Sequence, residues 1–84
     1  MEPSIACTYD EFRRIVADFL KAADTATMDE LEAGSKCVGL AYLGIQWDGS
    51  PLQEVHRLAG APACLRLVGK KFAERQFQLE QQEG

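Results

Sequence analysis

Eighty-four residues with a net charge of −4, 46% hydrophobic and 26% charged, have the size and balance of one folded domain, near the lower limit for a self-sufficient core. That composition excludes a wholly disordered chain, and no apolar run approaches the ~20 residues that span a bilayer. The N-terminus has no basic stretch ahead of an apolar one, so a cytoplasmic protein without a membrane partner is expected.

Residues 1–7 read as a short mobile leader, with Cys7 placed to pack on Phe12 as a hydrophobic staple. Thr8-Tyr9-Asp10-Glu11 then fits the capping box, in which a Thr oxygen and a Glu carboxylate satisfy each other's backbone amides. A helix over 9–23 is predicted, burying Phe12, Ile15, Val16, Phe19 and Ala23 at i, i+3/i+4, i+7 spacing. Asp10, Arg14 and Asp18 fall on its wet side.

Thr27-Met28-Asp29-Glu30 repeats the capping signal and predicts a second helix over 28–46. Its opening acids suit the positive end of the helix dipole. From Cys37 to Ile45 it is apolar almost all round, as in a central helix covered by its neighbours. Ala33, Cys37, Ala41 and Gly44 form a narrow stripe along which another helix could come close. Residues 38–46 also read as a strand, because Gly39 and Gly44 each weaken a helix by ~1 kcal/mol. The upstream capping box, and the lack of a second strand candidate, favour helix. Trp47-Asp48-Gly49 then marks a turn, with Trp47 plugging a corner of the core.

Ser50-Pro51 is a third start, with Pro at the first helical position where its missing N–H costs nothing. The expected helix, 51–59, turns Leu52, Val55, Leu58 and Ala59 inward and Gln53, Glu54 and Arg57 to water. Gly60 reads as a left-handed stop, and Ala61-Pro62 as the opening of a fourth helix over 62–81. That helix buries Leu65, Val68 and Phe72, with Leu79 at the end of the stripe and Phe77 well off it. Residues 82–84 read as a mobile end. The predicted fold is all-α: one compact, four-helix bundle-like domain over 1–84.

The chemistry in this pattern is sparse. Cys7, Cys37 and Cys64 are far apart, and His56 is the only histidine. The chain therefore lacks the ligand spacings of a structural zinc site, and the cysteines read as reduced apolar residues. A Cys64–His56 or Cys37–His56 dyad is the one conceivable nucleophile–base pair. Gly34, Gly39 and Gly44 lie within one helix and make no phosphate loop. A non-enzyme without metal or cofactor is expected.

Charge is unevenly spread. Residues 1–49 hold nine acids against four bases, and residues 50–75 five bases against two acids. The halves could complement each other within one fold or across a dimer. The asymmetry also supports an alternative reading, a nucleic-acid-binding helix-turn-helix over 51–75, with Arg66, Lys70 and Lys71 meeting phosphate or base edges. A lesser alternative follows from size, acidity and helix count, which resemble those of acyl carrier proteins. Those carry a cofactor on a serine at the start of the second helix, usually within Asp-Ser-Leu. The one candidate here is Ser35, in Gly34-Ser35-Lys36, two turns inside the predicted helix and without the flanking Asp and Leu.

The preferred reading is a non-catalytic protein–protein contact module, a small regulator, inhibitor or adaptor. Phe77 and Leu79 are its expected docking residues, with Asp10 and Asp18 on the acidic face steering a protein partner of unspecified identity. A homodimer is expected as well, because small domains gain stability by associating.

Overall fold

A computed structural model describes residues 4–83. They are all-α, with no strand among them. Helix α1 spans Tyr9–Ala22 and continues as one 3₁₀ turn, Ala23–Thr25. Helix α2 spans Met28–Leu43, α3 Pro51–Val55 and α4 Ala61–Glu83. Three of the four predicted starts form as read. Thr8 and Thr27 complete capping boxes with Glu11 and Glu30, and the Ser50 hydroxyl accepts from the Gln53 amide at 3.2 Å.

The predicted break between the third and fourth helices does not exist. His56–Gly60 is a π-helical turn joining α3 to α4, so the chain stays helical from Pro51 to Glu83. The Ala61 amide reaches back to the His56 carbonyl, an i to i−5 bond. Pro62 supplies the physical reason. Inside an α-helix it removes the bond to the carbonyl four residues back and its ring collides with that carbonyl. A wider π turn just before it makes room without ending the helix. Gly60 accordingly keeps a helical conformation, and the single positive φ among the described residues belongs to Gly49, at 80° in the loop before Ser50. Thirty-three residues at ~1.5 Å rise give ~50 Å, matching the molecule's 50 Å longest axis. The four-helix expectation thus becomes three packed bodies, the third a single long helix.

Contacts along the chain give their directions. Tyr9 of α1 lies against His56, Leu20 beside Leu67, Asp24 against Lys71 and the Ala26 carbonyl against Arg75, so α1 and the long helix run parallel. Phe19 abuts Gly34, and Phe12 faces Tyr42, so α2 returns antiparallel. Between them sit Phe12, Val16, Phe19, Ala23, Leu31, Val38, Ala41, Ala61 and Val68, all buried. The first-helix face is as predicted, and Leu65 and Phe72 are partly buried against the core.

Two further expectations change. Helix α2 ends at Leu43 rather than residue 46, with Gly44 as its C-cap, and is not covered all round: Leu43 is 69% exposed. The leader's described residues are hydrogen-bonded to α2 and the segment after it. Ile5 donates to the Leu40 carbonyl at 3.1 Å, Cys7 to the Gly44 carbonyl at 3.2 Å, and Gln46 to the Cys7 carbonyl at 2.9 Å. Cys7 pairs with Ile45 as an isolated parallel bridge, and its thiol donates to the Ala41 carbonyl. The leader therefore covers the Ala41–Gly44 half of the small-residue stripe, while Ala33 and Cys37 remain exposed. Gln82 and Glu83 are helical. Residues 1–3 and Gly84 of the predicted mobile ends lie outside the described residues.

Candidate functional site

The aromatic cluster around Tyr9 decides which way the start of the long helix faces. Tyr9, first residue of α1, is buried with its ring stacked on His56 at 4.4 Å and 15°. Trp47 packs at 5.7 Å and Phe12 at 6.3 Å, and the Arg13 guanidinium lies 6.0 Å from the Tyr9 ring centre. Gly60 sits so close that a Cβ there would be 2.3 Å from the Tyr9 hydroxyl oxygen. Gln53, His56 and Gly60, at i, i+3, i+7, are thus the inward face of this segment. Burial, and after it the neighbouring Cys64 thiol, pushes the Tyr9 phenol above its ordinary value.

Because that polar, glycine-containing face is inside, the apolar one is outside. Leu52 is 65% exposed, Val55 60% and Leu58 64%, and Ala59 is exposed with them. No residue of Pro51–Gly60 is buried. This inverts the predicted orientation. Amphipathic periodicity puts leucines inward by default, but here the stacked rings of Tyr9 and His56 hold the opposite face. Glu54 and Arg57 form an exposed ion pair flanking the apolar stripe, and the pair holds the Glu54 carboxyl below the usual carboxylate range.

A cleft of about 230 Å³ lies beside this segment, lined by Thr8, Tyr9, Asp10, Leu52, Gln53 and His56. Gln53 Oε1 and His56 Nδ1 are buried there without a hydrogen-bond partner in the protein. No nucleophile with an oriented base converges on the cleft. Among the described residues no hydrogen bond joins His56 to Cys64 or Cys37, and no three His, Cys, Asp or Glu side chains gather as a metal site would need. Cys37 is exposed, Cys64 half-buried and Cys7 buried.

The predicted docking residues do not form one surface. Phe77 is 61% exposed on the outer side of α4. Leu79 is half-buried and lines a shallow recess with Met28, Gln76 and Glu80. Asp10 and Asp18 are exposed on α1. Asp10 lies level with the start of the long helix, while Phe77 is 17 residues beyond Gly60, roughly 25 Å along the axis.

The basic residues divide likewise. Arg66 and Lys70 are exposed on α4, whereas Lys71 is ion-paired with Asp24. Arg75 donates to the Ala26 carbonyl at 2.9 Å. Part of the basic second half therefore complements the acidic first half within the fold. The turn that a helix-turn-helix requires is absent from Pro51–Glu83. Ser35 lies half-buried in the interior of α2, not at its start.

Sequence reasoning missed the exposed Leu52–Val55–Leu58 face. Its one available signal was the i, i+3, i+7 spacing of Gln53, His56 and Gly60, with a glycine where an aromatic side chain comes close. No protein-family profile, curated protein or solved structure matches the chain. Among the described residues no helix is long and apolar enough to cross a membrane.

Proposed function

We propose that this chain is a non-catalytic protein–protein contact module, a small regulator, inhibitor or adaptor, and that it docks through the outer face of its long helix. One observation carries the reading: Leu52, Val55 and Leu58 stand in water at intervals of three along one helical segment. Single exposed leucines are ordinary on a protein surface, whereas a contiguous apolar stripe with a polar rim is the usual mark of a contact site. Leu52, Val55 and Ala59, at i, i+3, i+7 with Leu58 beside them, also have the spacing by which one helix is recognised by an apolar groove or by another helix. Phe77, exposed farther along the same helix, extends the available surface. Asp10 and Asp18 serve as steering charges rather than anchors, since exposed carboxylates change encounter rates more than affinity.

The test is capture from source-cell lysate by wild type and by the Leu52→Ser/Leu58→Ser variant, washed through a salt series. A stoichiometric protein held by wild type at high salt and lost by the variant is the expected result. Equal retention by both would remove the proposed surface from the account. Retention of nucleic acid alone, lost steeply with rising salt, would replace the reading with one based on Arg66 and Lys70.

A further inference from the structure

We infer that the partner of this module is an acidic amphipathic helix, laid along the outer face of the long helix from Val55 to Phe77. The inference rests on the contact-module reading and names its partner. It is carried by two bases that the fold itself does not use. Residues 56–76 hold five Arg or Lys side chains and a single acid, Glu74. Three of the five are engaged internally: Arg57 pairs with Glu54, Lys71 pairs with Asp24, and Arg75 donates to the Ala26 carbonyl at 2.9 Å. Arg66 and Lys70 are exposed, and neither has an ion-pair partner among the described residues.

Both belong to one uncovered line. At ~100° per residue, Arg66, Lys70, Ala73 and Phe77 fall within ~60° of one another around α4, and all four are exposed. Through the π turn the advance is ~80° per residue, which carries the line on to Leu58 and Val55, within ~70° of Arg66 and exposed as well. Leu52 falls off it, toward α1, where it lines the cleft beside Tyr9. Glu74 also lies off it, on the edge shared with Leu20 and Lys71. The line is therefore apolar at both ends and cationic in the middle. Arg66 is equidistant in sequence from Val55 and Phe77. A second copy overlapping the whole line would set Arg66 against Arg66 in either direction, and like charges facing each other oppose association. A helix with carboxylates at its centre and apolar residues toward its ends meets every part of the line. The exposed Asp10 and Asp18 carboxylates on α1 repel that partner and so keep it on the outer face.

Area sets the strength. At ~1.5 Å rise per residue the line from Val55 to Phe77 is ~33 Å long. A strip of that length and a helix's ~10 Å width on each surface gives roughly 700 Å² for the pair, the size of a transient contact rather than a permanent one. The complex is accordingly reversible and of micromolar affinity, with the central charges setting register and encounter rate.

The test uses the full chain and two acetylated, amidated probe helices of about 22 residues. They share one leucine stripe and differ at the centre, where one carries glutamates and the other lysines. Fluorescence anisotropy should show the glutamate helix binding at micromolar concentration, at least ~10-fold tighter than the lysine helix, and weakening as salt rises. Arg66→Glu/Lys70→Glu should weaken it at least ~10-fold, and Leu58→Ser/Phe77→Ser likewise, with helicity unchanged by circular dichroism. Lys21→Glu/Lys36→Glu, the same change of net charge at exposed sites away from the line, should weaken it less than ~2-fold. A lysine helix that binds as tightly, a wild type that binds neither probe, or binding indifferent to the 66/70 pair would each overturn the inference. In the lysate capture, a protein lost by Leu52→Ser/Leu58→Ser but kept by Arg66→Glu/Lys70→Glu overturns only the acidic partner. Duplex DNA held through Arg66 and Lys70, with no protein captured, overturns the contact module as well.

Discussion

A methyl group added at Gly39 and one added at Gly44 should act in opposite directions, although both belong to α2 or its cap. At Gly39 nothing lies within 4 Å of the new Cβ, so Gly39→Ala gains helix propensity without a collision. It should raise stability by ~0.5–1 kcal/mol. At Gly44 the same atom would lie 2.0 Å from the Ile5 carbonyl oxygen, which is backbone and cannot swing aside. Gly44→Ala should therefore cost ~1–3 kcal/mol, the range for overpacking a tight site. Urea unfolding of the two variants measures both. A neutral Gly44→Ala would show that residues 5–7 are not pinned against the end of α2. Sequence alone made the two glycines look alike, each a mild weakness in a helix. What separates them is the leader, which is 34 residues away in the chain at the Cys7–Ala41 contact and has no periodicity that could announce it.

The starts at Thr8, Thr27 and Ser50 were legible and the boundary at Gly60–Pro62 was not, for a physical reason. Thr8, Thr27 and Ser50 act on amides three residues away, so their effect is local and survives in the sequence. Gly60 and Ala61-Pro62 are local signals too, a stop and a new start, but here tertiary packing outweighs them. The Tyr9 ring occupies the space that Gly60 leaves open, and a π turn absorbs Pro62. The same continuity decides the fate of the two predicted anchors on α4. Phe77 and Leu79 are two residues apart, about 200° around the helix, so they cannot share a face. Phe77→Ser should leave stability within ~0.5 kcal/mol of wild type, as exposed substitutions do. Leu79→Ser, which withdraws a half-buried side chain from beside Met28, should cost about 1 kcal/mol. Thermal melts at equal protein concentration distinguish them. A larger loss from Phe77→Ser would mean that Phe77 folds back onto the body and that the outer face of α4 is not free.

At the scale of the whole molecule, the perturbed groups point to a stability plateau bounded on both sides by ionisation. On the acid side the Glu30 carboxylate is held below its ordinary 4.5 by the Thr27 backbone amide, and Asp48 below its ordinary 3.8 by the Ser50 amide. Protons bind these groups more weakly in the folded chain than in the unfolded one. Their contribution is complete above about pH 4.5 and is lost as pH falls through the depressed folded values. Glu30 completes the α2 capping box and Asp48 holds the Ser50 N-cap in place, so acid should fray α2 and the beginning of the long helix first. On the alkaline side the signs reverse. Burial, then the nearby Glu11 carboxylate, lifts the Cys7 thiol above its ordinary 9.0, and burial lifts the Tyr9 phenol above 10.0. The folded chain holds these protons more tightly, so their contribution is complete below pH 9 and fades as pH rises past it. Lys71, raised above 10.5 by its hydrogen bond to Asp24, adds to the same loss at still higher pH. Urea midpoints measured from pH 3 to pH 11 should therefore be level between about 5 and 9 and fall on either side. Cys7→Ala removes the first of the alkaline groups. It should lower the whole curve, because a buried thiol is replaced by a smaller side chain, yet begin its alkaline descent about one unit later, where Tyr9 takes over. An unchanged onset near pH 9 would show that Cys7 is not the group that loosens the leader, and with it the contact that closes the end of α2.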